Sequence, residues 1–380
     1  MKNILNTLKK EPMLFVALFA AIISLFITPP DKALLSAIDW KTLAILFMLI
    51  SVLEGFKKEN IFLPLIRFTG KFQTIKNLSV FFVFGVFFTS MFVTNDVSLI
   101  IFVPLTIILF RYGNKEKYIL PVITLENIAA IRGSLLTPFG SPQNLFLFTQ
   151  SGVSVLNFFK HMFPLWFVSG FLLYLFILFI YRKDLNEKIW ADIEEINQPW
   201  QIESRKKRIL YILLFILIIF TILSRTRFWP YITLLVFLSL LIFDSTILVK
   251  TDYVLLLTFL CFFIFSSSIC RNPVIAAFLK KSVSGNEYWW SILLSQIISN
   301  VPCAIVLWPF TENLTALLYG LDSAGLCSII GSLASVINLR IYAREYPGNS
   351  LKFIKTFQII SLAFFAIIVI PQFFLSKWLF

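Results

Sequence analysis

Apolar runs of about twenty residues follow one another along almost the whole chain, from Met13–Thr28 to Ile354–Phe374. None of them alternates polar and apolar residues, so each reads as a helix in a bilayer rather than a strand of a barrel. With 58% hydrophobic residues, 44 Phe and only 14% charged residues, the chain carries more apolar surface than a soluble domain of this length can bury. The predicted fold class is an all-α polytopic membrane bundle with about nine to eleven transmembrane helices.

The charges between the runs set the expected topology. The formal net charge of +13 is gathered into loop clusters, the pattern of cytoplasmic loops and not of a nucleic-acid groove, and nucleic acid is excluded as a partner. Lys2, Lys9 and Lys10 precede the first run, which predicts a cytoplasmic amino terminus in the cytoplasmic membrane. The stretch from Lys57 and Lys58 through Arg67, Lys71 and Lys76 is predicted to be cytoplasmic, as is the loop containing Arg182, Lys183, Lys188 and Arg205 to Arg208. Between the first of these charges, Ile61–Ile66 is too short to span and reads as an interfacial element. The cysteines, Cys261, Cys270, Cys303 and Cys327, lie in or beside apolar segments without metal-ligand spacing, so neither a disulfide framework nor a metal site is expected. A phosphate-cradling Gly-rich loop with Lys, paired zinc histidines and a nucleophile elbow are all missing from the sequence, so no enzyme and no cofactor are expected.

Two runs are interrupted by polar strings, Thr94-Asn95-Asp96 between Leu78–Val93 and Val97–Phe110, and Ser299-Asn300-Val301 between Tyr288–Ile298 and Pro302–Phe310. Each is followed by a second break that contains Gly-Ser: Gly140-Ser141-Pro142-Gln143-Asn144 in one half, Gly331-Ser332 in the other, the latter break read as running to Asn338. At fourteen residues and about 21 Å, the arm Val97–Phe110 is short for a full span, which favours a re-entrant hairpin. Both halves thus show two spans, a connecting segment, a polar-tipped hairpin, a broken helix and a final span, with Ile209–Leu223 left over. The predicted organisation is a first inverted repeat over 1–181, a cytoplasmic linker over 182–208 and a second repeat over 209–380. Paired breaks at matching positions point to a binding site at depth, since a membrane tolerates non-helical backbone only where protein buries it or it lines a cavity.

The string from Thr94 to Leu105, together with Leu135-Leu136-Thr137-Pro138-Phe139-Gly140-Ser141-Pro142-Gln143-Asn144-Leu145, resembles the paired signature of the ion transporter superfamily. That group includes citrate-type carriers, arsenite efflux permeases and divalent-anion sodium symporters. Ser299-Asn300-Val301-Pro302 with Gly331-Ser332 resembles the second-repeat counterpart. The resemblance implies an elevator-like carrier, often a homodimer, with a mobile unit built from two hairpins and two broken helices. In the sodium symporters, Ser-Asn-Thr tips help bind cation and substrate. Here the third position of each tip departs, to Asp96 and Val301, which brings the chain closer to the citrate and arsenite branches.

Asn95, Asn300, Thr94 and Ser299 offer amide and hydroxyl groups at tips where backbone groups also lack helical partners. Helix amino termini after Gly140 and Gly331 favour an anionic substrate. The expected substrate and ion site is Thr94, Asn95, Asp96, Thr137, Gly140, Ser141, Gln143, Asn144, Ser299, Asn300, Val301, Gly331 and Ser332, with sodium, if used, at Asn95, Asp96 and Asn300. Asp96 stands where a carboxylate must be paired, cation-bound or protonated, which makes it the candidate for coupling to H+ or Na+. Glu126 and Arg132 read either as a mutual ion pair holding the broken helix or as a source of positive potential for an anion. The expected function is secondary transport of a carboxylate or inorganic oxyanion. The alternatives are arsenite or antimonite efflux, with Cys303 as a thiol near a tip and a separate ATPase subunit as possible partner, Na+/H+ exchange, and a non-transporting membrane receptor or scaffold. The lipid bilayer is the one partner common to all of them.

Overall fold

The computed structural model describes residues 12–31, 34, 36, 38–59, 61, 74–184, 187–189 and 205–378. The basic amino terminus, nearly all of Ile61–Ile66, Arg67, Lys71 and the middle of the 182–208 linker lie outside the described residues.

Sixteen α-helices make up the described chain. The first half contains α1 (Pro12–Ile27), α2 (Trp40–Lys58), α3 (Ile75–Val93), α4 (Asn95–Tyr112), α5 (Ile119–Gly133), α6 (Pro142–Ser151) and α7 (Val155–Ile180). The second half contains α8 (Arg205–Ser224), α9 (Trp229–Lys250), α10 (Tyr253–Arg271), α11 (Pro273–Val283), α12 (Glu287–Ile298), α13 (Asn300–Leu307), α14 (Leu314–Cys327), α15 (Leu333–Glu345) and α16 (Ser350–Trp378). Among the described residues, eight helical segments are long and apolar enough to cross a bilayer: α3, α4, Glu116–Leu136, α7, α8, α9, α10 and most of α16. The chain is therefore an all-α polytopic membrane protein. In α2 the charges Lys41, Glu54, Lys57 and Lys58 are confined to its ends, and its middle is as apolar as a span requires. Large apolar side chains such as Phe171 and Phe179 on α7, Phe220 on α8 and Ile242 on α9 point outward, as they do where the surrounding solvent is lipid.

Local chemistry explains most helix starts. Asp39 caps α2 by accepting from Thr42 N at 3.0 Å, Thr74 caps α3, Asp252 caps α10 and Asn313 caps α14 from Ala316 N at 2.7 Å, each satisfying a donor that the helix leaves open. At α4 and α13 this pattern fails in the same way. Thr94 (φ 71°, ψ 155°) and Ser299 (φ 66°, ψ 161°) precede them without a side-chain cap among the described residues. That region of backbone space belongs to glycine and costs about 1–3 kcal/mol for other residues. Both hairpins therefore turn at one strained residue, matched in kind and position.

Two expectations need correction. Helix α4 has 18 residues, about 27 Å, because Asn95 and Asp96 supply its first turn and Arg111 and Tyr112 its last; arm length therefore does not mark the first hairpin as re-entrant. The second hairpin does meet that criterion, with arms of 12 and 8 residues, too short to cross. The second break is also shorter than expected. It ends at Ser332, and Asn338 lies within α15, since no Gly or Pro after Gly331 prevents the helix from resuming.

The two halves are interlocked. Helix α1 packs on α10 and α2 on α9, while α6 packs on α13 and α15 on α4, so each of these elements finds its partner in the other half. Helix α8 packs on α2. It is pinned where Lys207 Nζ (3.0 Å), Tyr211 OH (2.8 Å) and Lys58 Nζ of α2 (2.8 Å) all reach the Asp244 carboxylate, at a point where α9 leaves helical geometry.

At both breaks the chain turns back over the end of the helix it has just left. A Cβ at Gly140 would lie 2.4 Å from the Ser134 carbonyl oxygen, and one at Gly331 would lie 2.1 Å from that of Ala324. Gly140→Ala and Gly331→Ala should each destabilise the protein by about 1–3 kcal/mol, measured as a lowered midpoint of thermal unfolding in detergent; an unchanged midpoint would show that the breaks can relax.

Candidate functional site

Each hairpin tip seats on the break of its own half. In the first, Asn95 N donates to Gly140 O at 3.3 Å and the Thr137 hydroxyl donates to Met91 O. The Asn95 amide oxygen turns back to accept from Asp96 N at 2.9 Å. In the second, Asn300 Nδ2 donates to Leu321 O at 3.4 Å, Gln296 Nε2 donates to Ala324 O at 3.1 Å, and the Ser328 hydroxyl donates to Gln296 Oε1 at 2.6 Å. Carbonyls left open at the end of α14 are thereby satisfied by side chains: Gln296 takes that of Ala324, Ser361 that of Leu326 at 2.9 Å and Gln358 that of Cys327. An exposed helix end at membrane depth has no water to serve this purpose.

Ser141 caps α6 by accepting from Asn144 N at 3.4 Å, and Asn144 Nδ2 donates to Ser134 O at 3.4 Å. Ser332 holds the matching position before α15, without a side-chain cap among the described residues. Cross-links then join the halves: Gln143 Nε2 donates to Asp322 Oδ1 of α14 at 2.9 Å, Asn127 Nδ2 to Ser335 Oγ at 3.0 Å, and Asn338 Nδ2 to Ile123 O at 2.7 Å. Of the expected site residues, Thr94, Asn95, Thr137, Ser141, Gln143, Asn144, Ser299, Asn300, Val301 and Ser332 are all buried. Asn95 and Asn300 are held to separate breaks, and no hydrogen bond among the described residues joins the two tips. Among the same residues, no group of three or more His, Cys, Asp or Glu could hold a metal ion.

Glu126 and Arg132 do not pair. Six positions apart on α5, they lie about 120° apart around the helix axis, and each finds its own partner. Glu126 accepts from the Thr106 hydroxyl of α4, whereas Arg132 Nη2 donates to Ser323 Oγ of α14 at 3.2 Å. Arg132 is fully buried, and its Nε and Nη1 have no hydrogen-bond partner among the described residues. The charge acting most strongly on it is Asp322, itself fully buried. Sequence reasoning missed Asp322, although it is the one charged residue of α14 and an ionisable group inside an apolar helix is a functional candidate by default. Asp96 is half-buried in the first turn of α4, and the charges nearest it in effect are Lys57 of α2 and Asp252 before α10, not Arg132. Cys303 is fully buried, with its thiol directed at Ser291 O of α12 at 3.6 Å.

The sequence of this chain matches a known family. The citrate transporter (CitMHS) family model matches residues 5–331, a range that takes in both tips and the first break and ends at Gly331. The chain belongs to the citrate transporter family. An uncharacterized transporter of Methanocaldococcus jannaschii is 32% identical over 330 residues, covering 87% of this chain and 88% of that one. The inner membrane protein YbiR of Escherichia coli is 30% identical over 325 residues, 84% of each. The resemblance to the ion transporter superfamily drawn from Thr94–Leu105 and Leu135–Leu145 is thus upheld, and the chain is a polytopic membrane transporter of this family.

The contact between Gln143 and Asp322 is buried and joins the two halves of the site. Gln143→Leu should leave the carboxylate short of a donor and destabilise the fold by about 1–3 kcal/mol, whereas Asn77→Leu, at the exposed start of α3, should change little. Thermal unfolding of the two variants in detergent checks the difference.

Proposed function

We propose that this citrate transporter family member is a secondary active carrier of a small anion, a carboxylate or an inorganic oxyanion, coupled to H+ or Na+. The observation that carries the reading is Arg132, a fully buried guanidinium with two N–H groups that no described residue engages. A guanidinium offers a planar fork that matches a carboxylate or oxyanion. Through Asp322 it belongs to the same cluster as Gln143 in the first turn of α6, and the start of a helix adds positive potential for an anion.

The elevator-like mechanism follows from the same division of parts. Helices α3 to α6 and α12 to α15 carry the hairpins and breaks and would move as one unit. Helices α1, α2, α9 and α10 would form the frame, with α8 held to it at Asp244. A homodimer, a cytoplasmic amino terminus and a cytoplasmic membrane location belong to this reading. Metalloid efflux would call for a thiol in the cavity, and the Cys303 thiol instead faces Ser291 inside its own hairpin.

Purified protein in proteoliposomes, offered labelled citrate, succinate, sulfate and arsenite under separately imposed proton and sodium gradients, should accumulate one anion under one gradient. Sodium exchanging for protons with no anion moved would replace this reading with the antiporter one. Arg132→Lys keeps the buried charge but loses the planar fork, and uptake efficiency should fall by roughly tenfold or more while the protein stays monodisperse in detergent.

A further inference from the structure

Arg132 and Asp322 are both fully buried, and together they are electrically balanced. An anion brought to the open N–H groups of Arg132 adds negative charge to a region without water to screen it, a state that is unstable unless a cation enters with it. The cation needs an acceptor in the same cluster, and two oxygens there fit. Asp322 Oδ2 and Asn144 Oδ1 are buried and have no hydrogen-bond donor among the described residues. Asn144 lies against the Asp322 carboxylate, whose other oxygen is held by Gln143 at 2.9 Å.

The other carboxylates are placed differently. Asp96 Oδ1 and Glu126 Oε2 are also buried without a partner among the described residues, but Asp96 answers to Lys57 and Asp252, Glu126 faces Thr106 of α4, and neither is among the charges acting on Arg132. The groups that act on Asp322 are Gln143 and Asn144 from α6 and Arg132 from α5, while Tyr288 of α12 and Cys327 of α14 act on Arg132. Among the described residues, Arg132 is the one positive charge acting on Asp322.

Building on the anion-transport reading above, we infer that Asp322, with Asn144 beside it, is the acceptor of the coupling cation, a proton or a sodium ion. Arg132 takes the anion and Asp322 takes the monovalent cation, which offsets one unit of the negative charge that the anion brings into the buried cluster. Asp96 is then outside the coupling step.

Asp322→Asn removes the negative charge while keeping the shape and the oxygen that faces Gln143. In proteoliposomes holding citrate, or whichever anion of the panel the wild type accumulates, a tenfold gradient of one coupling ion concentrates the anion about tenfold at one-to-one coupling. In Asp322→Asn that ratio should return to about one, while exchange of labelled for unlabelled anion stays within about twofold of wild type. Glu54→Gln, at the end of α2 where the carboxylate pairs with Lys57, should retain gradient-driven accumulation. Driven accumulation surviving in Asp322→Asn would overturn the inference, and so would loss of exchange along with accumulation in a folded Asp322→Asn protein. A second measurement stands apart from transport: the unfolding midpoint of detergent-solubilised wild type as sodium, and separately pH, is varied. One of these dependences should be present in wild type and flattened in Asp322→Asn. If no panel anion moves, the transport reading fails, and this measurement still decides whether Asp322 binds a cation; equal dependences in both proteins would sink the inference.

Discussion

The structure depends on satisfying broken helix ends without water. Wherever this chain interrupts a helix at depth, backbone groups open that lipid cannot engage. The chain answers with its own polar groups: Gly140 O takes the Asn95 N–H, Ser134 O takes the Asn144 amide, and the end of α14 is served by Gln296, Ser361 and Gln358. Three of these five donors come from hairpin elements or from α6 and two from the last helix, so the breaks can form only once distant parts of the chain have docked. The site is a by-product of that closure. Among the buried groups that the closure leaves open are those on Arg132, Asp322 and Asn144, and also on Asp96 and Glu126.

Much of this was legible in the sequence because polar residues inside apolar runs are conspicuous. Thr94-Asn95 and Ser299-Asn300 marked the tips, and Gly140-Ser141 and Gly331-Ser332 marked the breaks, since each sits where a helix would otherwise continue. What sequence could not give was direction around a helix. Glu126 and Arg132 are near in sequence and face different neighbours, Thr106 on α4 and Ser323 on α14. The partner that matters electrically to Arg132 is about 190 positions away in the chain, at Asp322, and no local pattern announces such a contact. Helix α4 is also longer than its apolar run, because the polar residues Asn95 and Asp96 form its first turn.

Strain and satisfaction are balanced at the two tips. Thr94 and Ser299 adopt a backbone conformation usually left to glycine, and each is buried. A glycine there would relieve the strain but would add freedom to a turn whose neighbours, Asn95 and Asn300, must present their amides in one orientation. The strained residue fixes the orientation of the amide that follows it, at both ends of a site assembled from two halves.

The interlocking of the halves bears on how the protein is made. Helix α6 and the first tip emerge from the ribosome long before α13, α14 and α15 exist, yet Gln143 finds Asp322 on α14 and Asn127 finds Ser335 on α15. These polar groups of the first half therefore reach their partners only after α14 and α15 have been made, so the buried cross-links are the last part of the fold that can close.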